Sequence, residues 1–502
     1  MNGQAKDTGS PGLWAALGLL LYLGALMAWF SGAPINHDTS WFLHATAKWL
    51  RGARLYQDIM EVNPPLIFLH HVPAVFLSDL AGITRTQAFY ATILALIGAS
   101  LWWSARIVAR AHGLRAAWLF LGGSALALVF PFTIYFGQRE HFLVIFLWPY
   151  LAAHLAEDRP DTGRGAAARA LFAAFGVLLK PYFVLIPLAV MLGRLAAERN
   201  WRALLSTGNL TFGAAGIFYA LAAWLLFPAY FDTVVPLAVE TYGAYRLNLS
   251  ELFIVPQPWL LVPLLAVLAA ARKVGLPHGI SCALLAAAGA LGIYFAQWNG
   301  FDYHAIPFFA LLCLCYVWLG ATSSDRRALL LALSGLLLQA QFTFRTNPYR
   351  YAMTEVFAPY LSGPDRARSL VVVSPDILPY FPLVDLFGTD WEGRFPVQWP
   401  VVGPVLELGR TDCTAQSDRC AHLHELIART VDLVAQDIEA TKPDLVIIDG
   451  KSPFFWPLDT DMRYDLQTLY FAEPAFAAAM AEYRPAGEAA DHRFWRRIAA
   501  SP

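Results

Sequence analysis

Blocks of about 18–22 apolar residues recur along the chain, each bounded by charges or by Pro and Gly, and nothing else in the sequence constrains the fold as strongly. Roughly 20 such residues cross the ~30 Å hydrocarbon layer as a helix, and only helices and closed barrels satisfy their own backbone there. The blocks fall near 13–33, 64–82, 86–105, 116–135, 142–156, 170–195, 203–227, 252–271, 279–297, 305–320 and 328–343. Composition agrees, with 57% of the 502 residues apolar and 15% charged, against about 45–50% and about 25% in soluble domains. The net charge of −1 gives no global field toward nucleic acid. The first block is long and lacks an obvious small-residue cleavage site, so it is expected to stay as a helix.

Charge asymmetry orients the blocks, because short cytoplasmic connections concentrate Lys and Arg. If 64–82 lies at the membrane surface and 170–195 breaks at Lys180-Pro181, five basic clusters fall on one side. They are Arg106, Arg110 and Arg115; Arg159, Arg164 and Arg169; Arg194, Arg199 and Arg202; Arg272 and Lys273; and Arg326 and Arg327. If 64–82 spanned, those clusters would lie outside. The expectation is therefore an α-helical polytopic membrane protein with about 11 transmembrane helices, its N-terminus inside, and a first outer loop from about 34 to 86 carrying juxtamembrane helices.

From about 347 the composition is that of a soluble domain. Ser369-Leu-Val-Val-Val373 and Asp444-Leu-Val-Ile-Ile448 read as short buried strands, and 421–440 and 465–483 as helices. Residues 1–346 are thus expected to form the transmembrane domain, and 347–502 a small C-terminal α/β domain on the outer, periplasmic side. Cys282, Cys313 and Cys315 sit in apolar blocks as structural thiols. Cys413 and Cys420 lie in the polar tail and can pair if it meets an oxidising compartment.

Chemistry-bearing residues gather in the connections. Asn36-His37-Asp38-Thr39-Ser40-Trp41 follows the first helix, and Thr39 onward suits an interfacial helix with Trp41, Phe42 and Trp49 on its apolar side. Asp38 reads either as the cap of that helix or as a working carboxylate. Gly137-Gln-Arg139-Glu140-His141 interrupts two apolar blocks, as a polar hairpin tip or a charged site. Lys180 sits at a helix break, where an ionisable group is functional unless it snorkels to the interface. Asn299-Gly-Phe-Asp302-Tyr303-His304 forms a further turn, with His304 structural or a partner for a phosphate or an acid. Residues 228–250, with Arg246, read as an ordinary loop or a lid.

The order of features in the first loop is an acid after helix one, an interfacial helix ending in Gly, Gly52-Ala-Arg-Leu-Tyr56-Gln-Asp58, then Pro64-Pro65-Leu66. This resembles the GT-C superfamily of membrane glycosyltransferases, on the branch of the protein mannosyltransferases and the lipid A aminoarabinose transferase. The resemblance covers roughly residues 13–200, with weaker echoes to about 310. Many relatives carry Asp-Glu where this chain has His37-Asp38-Thr39, which leaves Asp38 the only acid there.

The resemblance implies a glycosyltransferase, hexosyl or pentosyl, in a bacterial inner membrane. It would move a sugar from a polyprenyl-phosphate donor to a lipid, glycan or protein acceptor at the periplasmic face. Asp38 would be the general base. Asp58, Glu61, Arg139, Glu140, Lys180, Arg246 and His304 would bind substrate, some of the bases holding the donor phosphate. No cofactor is assigned; a divalent metal ion at Glu61 and Glu140 is the one candidate. The partners implied are the donor, an envelope acceptor and membrane lipids, with no nucleic acid. Two other readings stand open: a lipid-linked glycan transporter or flippase, and a glycan polymerase or ligase using a diphosphate-linked donor. If the site reading holds, Asp38, Arg139, Lys180 and His304 should line one outward cavity.

Overall fold

A computed structural model describes residues 12–132, 134–157, 162–254, 279–323, 325, 353–450 and 465–498. Among these residues, seven helical stretches are long and apolar enough to cross a membrane: Leu13–Phe30, Arg85–His112, Leu114–Phe132, Pro181–Glu198, Thr207–Leu226, Ile280–Gln297 and Asp302–Thr322. The chain is a multi-pass helical membrane protein. The expected block at 328–343 and most of the one at 252–271 lie outside the described residues, as does the expected domain boundary at 346.

The helices used below are α1 (Leu13–Phe30), α2 (His37–Leu50), α3 (Leu66–Ala81), α4 (Arg85–His112), α5 (Leu114–Ala127), α6 (Arg139–Ala156), α7 (Gly163–Val177), α8 (Leu185–Glu198), α9 (Thr207–Leu226), α10 (Val235–Tyr242) and α11 (Leu249–Ile254). They continue with α12 (Ile280–Gln297), α13 (Ile306–Thr322), α14 (Thr354–Leu361), α15 (Tyr380–Phe387), α16 (Trp399–Leu408), α17 (Ser417–Thr441), α18 (Leu466–Phe471) and α19 (Pro474–Ala479). α3, the segment whose role decided the charge count, has 16 residues and Pro73 inside it. At ~1.5 Å per residue it is about 24 Å long, short of the hydrocarbon thickness. The long block at 170–195 breaks as expected. α7 ends at Val177, Lys180 is extended, and Pro181 opens a 3₁₀ turn, because the residue before proline is driven out of the helical region.

The chain divides into two compact units. The first contains residues 1–36, 63–223 and 247–349. At its centre α6 is buried along its whole length, with α4, α7 and α13 packed around it. With lipid on one side and protein on the other, the helices gain little from hydrophobic burial and associate through close contact and interhelical hydrogen bonds. The Ser100 hydroxyl donates to the Ile145 carbonyl at 2.7 Å, and the Tyr22 hydroxyl to that of Ala125 at 2.8 Å. Gly289 lets α12 approach α8 so closely that an added Cβ would lie 2.6 Å from the Leu185 carbonyl oxygen and 2.8 Å from Ile186 Cα. Neither atom can step aside. Gly289→Ala is expected to lower stability by about 1–3 kcal/mol, read as a lower Tm in detergent. Gly292→Ala, whose Cβ would meet only a Leu185 methyl at 3.7 Å, should leave Tm unchanged.

The second unit is built from residues 37–62, 224–246 and 350–502. Its sheet has the order β2-β1-β3-β5-β4, where β1 is Ser369–Val373, β2 Asp390–Trp391, β3 Leu445–Asp449, β4 Tyr483–Ala489 and β5 His492–Arg497. β2, β1 and β3 run parallel, and β5 and β4 antiparallel. β1 and β3 are the two strands expected from the sequence; both are buried, as parallel central strands are. The helix expected at 421–440 is α17; the one at 465–483 is α18 and α19, parted at Glu473-Pro474. Cys413 and Cys420 are joined in a disulfide.

The first-loop helix α2 packs on α15 of this unit. Trp41 meets Phe381 edge-on at 5.5 Å between ring centres, and Trp49 meets Phe227 at 6.2 Å. The side expected to rest in the membrane interface is covered by protein at these two residues. Segment 224–246 packs the same way. α10 lies on α16, where Gly403 leaves no room for a side chain against the Thr241 carbonyl. Tyr242 meets Trp399 at 5.5 Å.

Candidate active site

In the first unit three chain breaks bring four of the expected residues together. Arg139 and Glu140 open α6, Lys180 ends the break after α7, and His304 sits in the 3₁₀ turn Asp302–Ala305 before α13. Lys180 Nζ lies 2.7 Å from Glu140 Oε1, 3.3 Å from His304 Nε2 and 3.4 Å from Gln297 Oε1. The His304 Nδ1–H donates to Asn299 Oδ1 at 2.9 Å. That leaves the Nε2 lone pair facing the ammonium, so His304 is the neutral tautomer accepting from Lys180. Tyr303 stacks beneath both cations, its ring centre 5.4 Å from Lys180 Nζ and 5.8 Å from Arg139 Cζ, within the range of cation–π attraction.

All four groups are buried, Glu140 completely. Buried charges persist only when paired, and here Lys180 is paired with Glu140 at 2.7 Å, with Arg139 sharing the Tyr303 ring beside it. Glu140 Oε2 has no hydrogen-bond partner among the described residues. The neighbouring polar link is uncharged: Gln138 Nε2 donates to Asn36 Oδ1 at 2.7 Å, and Asn36 Nδ2 to the Ile134 carbonyl at 3.1 Å. His141, part of the same sequence motif, is structural. It accepts from the Gly137 N–H at 3.0 Å, sits 2.7 Å from the Leu128 carbonyl and stacks on Phe132.

The other expected residues, Asp38, Asp58, Glu61 and Arg246, belong to the second unit. Asp38 is the second residue of α2, half-buried, with His37 Nε2 at 3.7 Å. Glu61 is buried and accepts from the Trp41 indole N–H at 2.6 Å, which ties the end of the loop to α2. Asp58 accepts three bonds from Arg54, at 2.8–3.0 Å. These bonds hold its carboxyl below the usual range and make it a loop staple. Arg246 is exposed at the end of the 3₁₀ turn Gly243–Tyr245. Of the four residues expected to converge, Arg139, Lys180 and His304 share one cluster and Asp38 stands in the other unit. Glu61 and Glu140, the candidate metal ligands, also fall in different units. Among the described residues no three His, Cys, Asp or Glu side chains gather as a metal-binding group.

The second unit also holds acids that the motif reading passed over. Ser374 directly follows β1 and Asp449 ends the adjacent parallel strand β3, and the Ser374 hydroxyl donates to Asp449 Oδ2 at 3.0 Å. Asp376 follows in the same turn, its N–H on Ser374 Oγ at 3.1 Å and its Oδ1 accepting from the Leu378 N–H at 3.0 Å. Burial, with Asp449 and Asp38 adding their charges, pushes the Asp376 carboxyl up to about 6. The signal was available: Ser-Pro-Asp directly after a buried strand lies where open α/β sheets bind polar ligands.

Two solved structures match this arrangement over nearly its whole length. ArnT from Cupriavidus metallidurans in the apo state is 16% identical, with 97% of this chain and 100% of that chain covered at a TM-score of 0.53. ArnT from the same organism bound to undecaprenyl phosphate is 14% identical, with 97% and 99% covered at a TM-score of 0.50. The chain has the ArnT fold. The resemblance to the GT-C superfamily, on the lipid A aminoarabinose transferase branch, is thereby borne out at the level of the fold. No protein-family model and no curated protein sequence matches the chain.

Proposed function

We propose that this chain is a membrane glycosyltransferase that moves a sugar from a polyprenyl-phosphate donor to an envelope lipid, glycan or protein acceptor. The observation that carries the reading is the buried Arg139–Glu140–Lys180–His304 cluster of a multi-pass membrane unit, which gathers two cations at one site. Such a site suits a lipid-borne anion. The ArnT fold supports the same class, one of the matched structures being bound to undecaprenyl phosphate.

In the proposed reaction an acceptor hydroxyl attacks the anomeric carbon while Asp38 takes its proton. The bond from that carbon to the phosphate oxygen breaks, and its electron pair leaves with the polyprenyl phosphate. Arg139 and Lys180 stabilise the charge that gathers on the leaving oxygen. In this reading Glu140 accepts from a sugar hydroxyl through Oε2, the oxygen that has no hydrogen-bond partner among the described residues. The Cys413–Cys420 disulfide supports an oxidising, periplasmic location for the second unit.

The test is transfer by the full-length protein in proteoliposomes made with envelope lipid extract. It compares undecaprenyl phosphate and undecaprenyl diphosphate, each carrying the same radiolabelled hexose or aminopentose, with the matching nucleotide sugar. Transfer from the monophosphate is expected. Transfer only from the diphosphate would make the chain a polymerase or ligase, and flipping without transfer would make it a transporter.

A further inference from the structure

We infer that Gln297 is a placeholder in the phosphate site: its side-chain carbonyl occupies the Lys180 N–H that an oxygen of the donor phosphate takes over, and this exchange sets how tightly the polyprenyl phosphate is held. The inference rests on the reading of Lys180 as a phosphate ligand, and it adds a residue that tunes the affinity.

The ammonium of Lys180 has no N–H to spare. A lysine side chain carries three N–H donors and no acceptor. Around Lys180 Nζ stand Glu140 Oε1 at 2.7 Å, His304 Nε2 at 3.3 Å and Gln297 Oε1 at 3.4 Å. Each donor therefore has an acceptor before any phosphate arrives, and a phosphate oxygen binds the ammonium by displacing one of the three.

Gln297 is the partner that yields. Glu140 is charged and completely buried, so parting it from Lys180 would strand a carboxylate. His304 is held from its far side by Asn299 at 2.9 Å, so moving its ring breaks a second bond. Gln297 is neutral, makes the longest of the three contacts and is only half-buried. The local fold puts it there. Gln297 is the last residue of α12, and Trp298 after it turns left-handed at φ 53°, its carbonyl accepting from the Leu247 N–H at 2.7 Å. That turn delivers Gln297 to Lys180 and Asn299 to His304. Gln297 Nε2 donates to the Ile293 carbonyl one helical turn back, at 3.3 Å, which keeps the amide oxygen toward the ammonium. A charged phosphate oxygen bonds an ammonium about twice as strongly as a neutral carbonyl does, so it wins the N–H, and the lost Gln297 contact is subtracted from the affinity. When the polyprenyl phosphate departs, Gln297 takes the N–H back and favours release.

The test is equilibrium binding of radiolabelled undecaprenyl phosphate to the full-length protein in nanodiscs, with undecaprenol as the control that lacks the phosphate. Gln297→Met keeps the length of the side chain and removes the acceptor. Its Kd for undecaprenyl phosphate should fall roughly threefold to tenfold, the net worth of one hydrogen bond. Gln297→Glu sets a like charge against the phosphate, and its Kd should rise roughly tenfold or more. Undecaprenol should bind wild type and both variants alike. Unchanged or weaker binding of undecaprenyl phosphate by Gln297→Met overturns the inference, since Gln297 would then serve the fold or touch the ligand itself. Tightening that undecaprenol shares also overturns it, because the gain would come from the lipid chain. If Lys180→Met binds undecaprenyl phosphate as tightly as wild type, the reading of Lys180 as a phosphate ligand fails; if Lys180→Met loses binding and Gln297→Met gains none, only the placeholder role fails. Should Gln297→Met not fold, an unchanged Kd in Gln297→Glu is enough to refute the inference.

Discussion

Asp38→Asn should reduce turnover by about 10²–10⁴-fold, the range for loss of a general base, with donor affinity little changed. The amide keeps the shape of the carboxylate and removes its ability to take a proton. Asp38 is half-buried on a helix whose neighbours Ser40 and Trp41 are held elsewhere, so the substitution should leave Tm close to wild type. A variant at normal expression and Tm that still transfers sugar at more than about a tenth of the wild-type rate would remove Asp38 from the chemistry.

Lys180→Met should cost more in stability than any surface change. It leaves Glu140 fully buried without the ammonium 2.7 Å away, and removing one partner of a buried ion pair costs about 3–5 kcal/mol. Donor retention should fall as well, since one of the two cations proposed to hold the donor phosphate is gone. Packing and function separate in the double variant Lys180→Met/Glu140→Leu. With no orphaned carboxylate its Tm should return toward wild type, because replacing a buried ion pair by apolar groups is often neutral. Binding of undecaprenyl phosphate should not return. Recovery of both would mean that Lys180 serves the fold alone.

The membrane part of the architecture was legible because its cause is one-dimensional. Apolar length and the placement of Lys and Arg are properties of consecutive residues, so α1, α4 and the break at Lys180 could be read directly. The cluster of Arg139, Glu140, Lys180 and His304 was legible for a related reason. Each of the four interrupts an apolar run, where a charge is costly and needs an explanation. Their mutual geometry was not, because the proton position on His304 is fixed by Asn299, a residue with no signal of its own.

The second unit hid for the opposite reason. β4 is an exposed edge strand and β5 beside it is rich in arginine, so neither reads as a buried apolar run, and β2 is two residues long. The partnership of α2 with α15 joins residues more than 300 apart, and no local pattern encodes it. Trp41 looked like an interfacial anchor because amphipathic helices for membranes and for protein surfaces share one periodicity. Asp376 lies in the polar C-terminal part, where an acid in a turn is ordinary.

That long-range partnership has a consequence for how the protein is made. Residues 37–62 and 224–246 leave the ribosome well before residue 350, where the rest of their unit begins. At about 5–20 residues per second, the first loop waits for roughly 15–60 s before its partner exists. During that interval Trp41, Phe42 and Trp49 have no protein surface to cover them, and the membrane interface is the natural place for them to rest. The amphipathic character of α2 then serves twice in succession: first as a temporary mooring on lipid, and later as the face on which the C-terminal domain closes.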